Sequence, residues 1–416
     1  MKNLRQQAID IIKQNDQGGF TIPTDKLYPF QWNWDSAFAA LGFACFDIDR
    51  AWLEIETLFE GQWDDGMLPH IVFRQPDDNY FPGPDVWGTN KTPSSSGHSQ
   101  PPVVASVVYN LTKQSSDNSR AEALFPKLLR YHEWFHQMRD PKGTGLVATI
   151  HPWETGRDNC PDWDSGMNQV VVPDDLPAYT RRDTSQIGAD QRPSTEQYDR
   201  FLSIVQFARQ HRWDHKHIYH HGPFLMADPG IQFILLRADR DLLALANTLG
   251  QTDHTTKIQQ WIDKSVAGCE QLWNKNINAF TAKDLRSGYY SQAVTSASML
   301  CFYANAGDDS QQRTMLTHAQ AILDSIKYAF PSWDPRDEHF ESRRYWRGPV
   351  WAIMNYMIAH GLNEVGATSM ANRINNDTIA LIESAGFNEY FDPHSGEGLG
   401  GHQFTWTAAI YLALTR

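Results

Sequence analysis

The stretch DPGIQFILLRADRDLLALANTLG, residues 228–250, carries a helix with both of its ends. Asp228 is a residue type whose carboxylate accepts the first free backbone N–H groups. Pro229 falls at the first helical position, and Gly250 follows the last periodic residue. Between them Ile231, Ile234, Leu235, Ala238, Leu242, Leu245, Ala246 and Leu249 recur at steps of three and four, the spacing of one buried helical face. The same periodicity predicts helices near 2–15, 35–46, 49–60, 102–114, 120–138, 198–210, 254–273, 290–305, 310–328, 349–362, 367–385 and 404–415. Strand patterns are short, at 68–73 and 146–150. Loops rich in Pro, Gly and Asp separate many of the helices, at 16–33, 61–101, 151–197, 274–289, 329–348 and 386–403. Helical hairpins set in a ring, with short turns on one face and long loops on the other, give this alternation. The expected fold is all-α, an (α/α)6 barrel; an α-solenoid or irregular bundle is the competing arrangement.

No linker divides the 416 residues, so residues 1–416 are read as one catalytic domain. The long loops 61–101 and 159–197 would lie on the functional face, where the second could close as a lid. The segment PSSSG, 93–97, reads as a flexible tip. No apolar run approaches the roughly 18 residues that span a bilayer. The start, MKNLRQQAIDIIKQNDQGG, has no apolar signal region. Cys45, Cys160, Cys269 and Cys301 are scattered and form no CxxC pair, which fits a reducing, cytoplasmic compartment better than a disulfide framework. The net charge of −13 argues against nucleic-acid binding, yet one local arginine would suffice to hold an anionic small molecule. Nothing in the sequence sets the oligomeric state; a homo-oligomer is compatible with it.

Two motifs mislead. His132-Glu133-Trp134-Phe135-His136 matches HExxH, but no third ligand follows on a later helix, so core or surface histidines are the better reading and no metal is expected. Gly396, Gly398 and Gly401 match GxGxxG, but too little chain follows to complete a βαβ unit; a tight glycine loop is expected. The histidines at 215, 217, 220 and 221 read as a solvated loop.

The 15 Trp, 15 Tyr and 21 Phe are more informative. Many stand beside Asp, Glu, Asn, Gln, Arg or His, as in QWNWD, HPWETGRDN and RYWRGPVW. Flat apolar faces beside hydrogen-bonding groups suit a sugar ring. Glycoside hydrolysis needs two carboxyl groups across the anomeric carbon, one giving a proton to the leaving oxygen and one activating water or attacking directly. The segments 151–159 and 388–393 each hold two acids among aromatics, and composition alone does not say which acts.

LYPFQWNWDSAF (27–38), QWDDGMLPHIVF (62–73), YFPGP (80–84), QPPV (100–103), WETGRDNCPDWD (153–164), QRPSTEQYDR (191–200), YWRGPVW (345–351), EYFDPHSGEGLGG (389–401) and FTWTA (404–408) run in order over nearly the whole chain. With these the sequence resembles glycoside hydrolase family 63, in its compact bacterial members that hydrolyse glucosylglycerate and mannosylglycerate. The resemblance implies an (α/α)6 toroid and an inverting α-glycosidase that splits 2-O-α-glycosyl-D-glycerate, a compatible solute, into sugar and glycerate without a cofactor. It implies Asp158 as general acid and Glu389 as general base. It places Tyr28, Trp34, Asp35, Gln100, Tyr345, Trp346 and Trp351 around the sugar, and Arg192, Tyr198 and Tyr80 around the glycerate carboxylate. Asp35 could also cap a helix starting at Ser36, and Trp63 is a weaker candidate. Glu154, Asp162, Asp164 and Asp392 are expected to cap or orient loops. Thr155 and Cys160 stand where resembling sequences often carry Ser, and Gln403 is displaced from a pocket glutamine. Two alternatives remain: an α-glucosidase acting on neutral α-glucosides or oligosaccharides, and a sugar epimerase, since epimerases also use this barrel.

Overall fold

The computed structural model describes residues 4–25 and 27–416, so residues 2 and 3 of the first expected helix lie outside it. The chain forms α1 (Leu4–Gln14), α2 (Asn33–Phe43), α3 (Ile48–Leu58), α4 (Val104–Gln114), α5 (Ser119–Trp134), α6 (Thr195–Gln210), α7 (Pro229–Thr248), α8 (Thr252–Cys269), α9 (Leu300–Tyr303), α10 (Asp309–Ser325), α11 (Ala352–Glu364), α12 (Thr368–Ala385) and α13 (Thr405–Leu414). Six of them close a ring: α2 packs on α4, α4 on α7, α7 on α9, α9 on α11, α11 on α13, and α13 back on α2. Outside it α3 lies on α2, α5 on α4, α8 on α7, α12 on α11, and α1 on α13. This is the (α/α)6 toroid.

Sequence explains which helix goes where. The inner α2, NWDSAFAALGF, buries every residue, as a helix apolar on most sides must. The outer α3 is amphipathic: it buries Ala51, Trp52, Ile55 and Leu58, together with Glu54 paired to Arg50, and turns Leu53 outward. Asp228 caps α7 as expected, accepting from the N–H groups of Gly230 and Ile231, with Pro229 in the first turn.

Several expectations need correction. Only Leu300–Tyr303 of 290–305 is an α-helix. Before it, serine hydroxyls take the backbone: Ala293 N–H donates to Ser291 Oγ at 3.1 Å and Thr295 N–H to Ser298 Oγ at 3.2 Å, competing with helical bonds. Helix α6 belongs to no ring position; it stands over the loop face against the turn Pro84–Trp87. The 146–150 segment makes one bridge, Thr149 to Met226, and no strand. Of 68–73, Ile71–Val72 pairs with Gln31–Trp32. The 93–97 tip is not a free loop: Ser95, Ser96 and Gly97 are buried, and a Cβ on Gly97 would lie 2.0 Å from the Trp213 ring. His215–His221 is a helix capped by Asp214, with His215 in the interior. His132 and His136 share one buried carboxylate, Asp239, at 2.7 and 3.0 Å. Among the described residues no group of three His, Cys, Asp or Glu side chains could hold a metal ion.

The short α9 lets α11 approach closely. A Cβ on Gly361 would fall 2.2 Å from the Tyr303 backbone nitrogen. Gly361→Ala is therefore expected to force the two elements apart and lower unfolding free energy by about 1–3 kcal/mol, measured by urea denaturation.

Candidate active site

The inner helices begin at one mouth of the ring, and the loops there enclose an aromatic cavity. Its wall includes Tyr28, Trp34, Asp35, Tyr80, Gln100, Asp158, Arg192, Tyr198, Tyr345, Trp346, Trp351 and Glu389, so every expected site residue faces one space. Trp63 does not; its indole donates to Ser95 Oγ at 2.9 Å. Gln403 also lies elsewhere, exposed beside Gln14.

Glu389 is seated by a two-stranded hairpin, Asn388–Phe391 against Gly398–His402. Its register slips between Asn388 and Tyr390: Asn388 pairs with His402 but Tyr390 with Leu399, so Gly400 and Gly401 together oppose Glu389. This β-bulge re-aims the side chain into the cavity. Gly401 N–H donates to Glu389 Oε2 at 2.9 Å, and Tyr28 O–H to Oε1 at 3.0 Å. Gly400 adopts φ +69°, and a Cβ there would stand 2.5 Å from Oε2. The glycines expected to form a loop are thus largely a strand shaped around the carboxylate, with only Gly396 in the turn.

Asp158 lies on a loop pinned on both sides. Arg157 donates to Asp162 at 3.0 Å and to Asp228 at 2.6 Å. Asn159 Oδ1 accepts from Trp346 N–H at 2.9 Å, and the Trp163 indole donates to the Asp158 carbonyl at 3.0 Å. The four acids expected to support loops do so. Glu154 is paired with buried Arg139, Asp162 with Arg157, and Asp164 with Arg347; Asp392 accepts from His394 N–H. Asp35 corrects the capping expectation: the helix begins at Asn33, and Asp35 is in its first turn facing the cavity. Gln100 Oε1 accepts from Trp34 N–H at 3.2 Å. Trp346 and Trp351 stack with centroids 3.8 Å apart and planes within 5°.

Burial is the largest influence on the Asp158 carboxyl, pushing it up to about 7; Arg192 pulls down, while Glu389 and Asp183 add to the rise. Burial also raises Glu389, against the Arg192 charge, the Gly401 N–H and the Tyr28 hydroxyl. Asp35 is held well above the usual carboxylate range, first by burial and then by Glu389. Arg192 is 4% exposed rather than a surface arginine. It donates to Tyr28 Oη at 2.7 Å and lies 3.4 Å from Asp183 and 3.7 Å from Glu389. Tyr198 O–H donates to the Phe81 carbonyl at 3.3 Å, in the first turn of α6.

Sequence reasoning missed His70 and Asp183 as cavity residues. His70 stacks on His98 at 4.8 Å, and His98 on His151 at 5.1 Å. Burial lowers all three, His98 to about 3, so this column is neutral. QWDDGMLPHIVF held the signal for His70; nothing marked Asp183.

Residues 28–407 match the sequence model of the mannosylglycerate hydrolase MGH1-like glycoside hydrolase domain. The chain belongs to that branch of glycoside hydrolase family 63. A mannosylglycerate hydrolase of Thermus thermophilus is 44% identical over 99% of this chain and 100% of its own. A glucosylglycerate hydrolase of Mycolicibacterium hassiacum is 31% identical over 98% and 97%. The crystal structure of a Thermus thermophilus family 63 mannosylglycerate hydrolase in complex with Tris and D-glycerate superposes with a TM-score of 0.96. It is 43% identical and covers 99% of this chain and 100% of its own. This family 63 chain is a glycoside hydrolase.

Two outcomes test the site. The Asp158 carboxyl, followed by 13C NMR, is expected to titrate near pH 7 and to fall towards the ordinary carboxylate range in Glu389→Gln, which removes a facing negative charge; an unmoved midpoint would show that the two carboxyls do not sense each other. Gly400→Ala is expected to keep the fold but displace Glu389, lowering kcat at least tenfold, on the order of a misplacement by 1 Å.

Proposed function

We propose that the protein hydrolyses 2-O-α-glycosyl-D-glycerates, glucosylglycerate or mannosylglycerate, to free sugar and glycerate with inversion at the anomeric carbon. The observation that carries this reading is one cavity holding Asp158, raised to about 7, Glu389, seated by two donors, and buried Arg192. The sugar sits against Trp34, Trp346 and Trp351, with Asp35 and Gln100 taking hydroxyls. Glu389 removes a proton from a water, whose oxygen bonds to the anomeric carbon. The bond from that carbon to the glycerate oxygen breaks, and Asp158 gives its proton to that oxygen. Burial suits Asp158 to the acid's role, and the Arg192 charge, the Gly401 N–H and the Tyr28 hydroxyl oppose the burial of Glu389, as a base requires. The two carboxyls are expected roughly 6.5–9.5 Å apart in the closed complex, the gap that holds a water.

Arg192 supplies a planar fork for the glycerate carboxylate, and Tyr80 and Tyr198 supply phenols. Loop 159–197, which brings Arg182, Asp183 and Arg192 to the cavity, is the lid in this reading. Family membership favours hydrolysis over the epimerase alternative, and Arg192 favours acidic over neutral aglycones. Among the described residues no helix is long and apolar enough to cross a membrane. A cytoplasmic location belongs to the same proposal, because a compatible solute accumulates there.

Incubation with glucosylglycerate and mannosylglycerate, following the first-formed anomer by NMR, is expected to show β-sugar; release of the α-anomer would contradict inversion. Asp158→Ala and Glu389→Ala should each lower kcat by roughly 10²–10⁴-fold. In wild type, kcat/KM should fall as pH rises through about 7, because Asp158 must enter the reaction protonated. Arg192→Ala should raise KM for acidic aglycones far more than for neutral α-glucosides, and equal losses would remove the glycerate assignment.

A further inference from the structure

Arg192 touches Tyr28 and Glu389 as well as the cavity in which the ligand is read. Its Nη2 donates to Tyr28 Oη at 2.7 Å, and the same hydroxyl donates to Glu389 Oε1 at 3.0 Å. Its Nη1 is buried, makes no hydrogen bond, and lies 3.7 Å from Glu389 Oε1. Its plane lies over the Tyr345 ring, 4.4 Å from the centroid. The charged and titratable groups facing it come from several elements. They are Tyr28 before α2, Tyr345 before α11, Glu389 and Tyr390 of the hairpin, and Asp183 of its own loop; Tyr80 and Tyr198 line the same cavity. Asp158 lines the same cavity as Arg192, Glu389, Asp183, Tyr80 and Tyr345 and feels their charges. One cation therefore acts on both carboxyls of the reaction, and one of its nitrogens is left without an acceptor.

We propose that the carboxylate of the substrate, by docking on Arg192, withdraws that cation from Asp158, so that the aglycone's charge arms the acid instead of only anchoring the ligand. This rests on the reading of Arg192 as the carboxylate receptor. Before substrate binds, Arg192 favours the ionised form of Asp158, which is the wrong form for an acid. A bound carboxylate cancels the field, adds a negative charge, and makes the proton on Asp158 harder to lose. By linkage, the carboxylate binds more tightly when Asp158 is protonated. A neutral glucoside can fill the same sugar subsite but leaves Arg192 acting on the acid. The arrangement sets reactivity, beyond affinity, by the charge of the leaving group.

The test is the Asp158 carboxyl titration in wild type and Arg192→Gln, with D-glycerate or glycerol added at saturation. D-glycerate is expected to raise the wild-type midpoint by roughly one pH unit, and glycerol to leave it in place. In Arg192→Gln the midpoint should already be raised without ligand, and D-glycerate should not move it further. Circular dichroism confirms that the variant is folded. In steady state, the basic limb of kcat should lie at higher pH than that of kcat/KM for glucosylglycerate, and the two should coincide for glucosylglycerol. If Arg192→Gln binds D-glycerate as tightly as wild type, the receptor assignment itself falls. If binding is lost in the variant but wild-type Asp158 does not move when D-glycerate binds, the receptor stands and the electrostatic coupling is refuted.

Discussion

A buried arginine between two buried aspartates ties the site to the barrel. Arg157, Asp162 and Asp228 are each at most 1% exposed at the side chain. Removing Arg157 would leave two buried carboxylates without a counter-charge, which is strongly destabilising, typically by about 3–5 kcal/mol. Asp228 also caps α7, so its carboxylate answers both the arginine and the free N–H groups of an inner helix. Because Arg157 directly precedes Asp158, the acid inherits the rigidity of the ring. The hairpin gives Glu389 the same service by other means: the Trp406 indole, in α13, donates to its carbonyl, and the Thr407 hydroxyl donates to the carbonyl of Asn388. Two acids far apart in sequence are thus mounted on inner helices that pack around one axis.

Much of this was legible in the sequence, where the periodic code is strong. The cap, the proline and the apolar spacing of 228–250 specify α7 almost to the residue, because each signal concerns neighbours in the chain. The motif-bearing loops likewise carried the cavity residues through their resemblance to family 63. What stayed hidden depends on contacts across space. Serine-rich 291–299 has helical periodicity, yet local hydroxyl bonds win over the ladder. PSSSG reads as loose until Trp213 covers its glycine. The glycines at 398–401 have no side-chain pattern to betray a strand; their meaning lies in the carboxylate opposite.

Electrostatics inside the cavity is a contest between desolvation and a small number of placed charges. Asp35, Asp158 and Glu389 are all raised by burial. Asp183 instead lies below its ordinary value, because Arg181 and Arg192 outweigh its burial. The neutral histidine column adds polarity to the wall without adding a cation near the acid. A cavity with several carboxyls and a buried guanidinium discriminates by charge as well as by shape.

The truncated helix before α9 is more than a missing spoke. Freed from a helical ladder, the chain at Thr295 bridges Trp333, and its hydroxyl donates to Asp162 Oδ2 at 2.8 Å. This irregular sector of the barrel is therefore wired into a buried ion cluster. Insertions or deletions near 291–299 would be felt at Asp158 through Asp162 and Arg157. Perfect sixfold regularity would have made a tidier cylinder, but one in which that strut to the acid's foundation had no place to form.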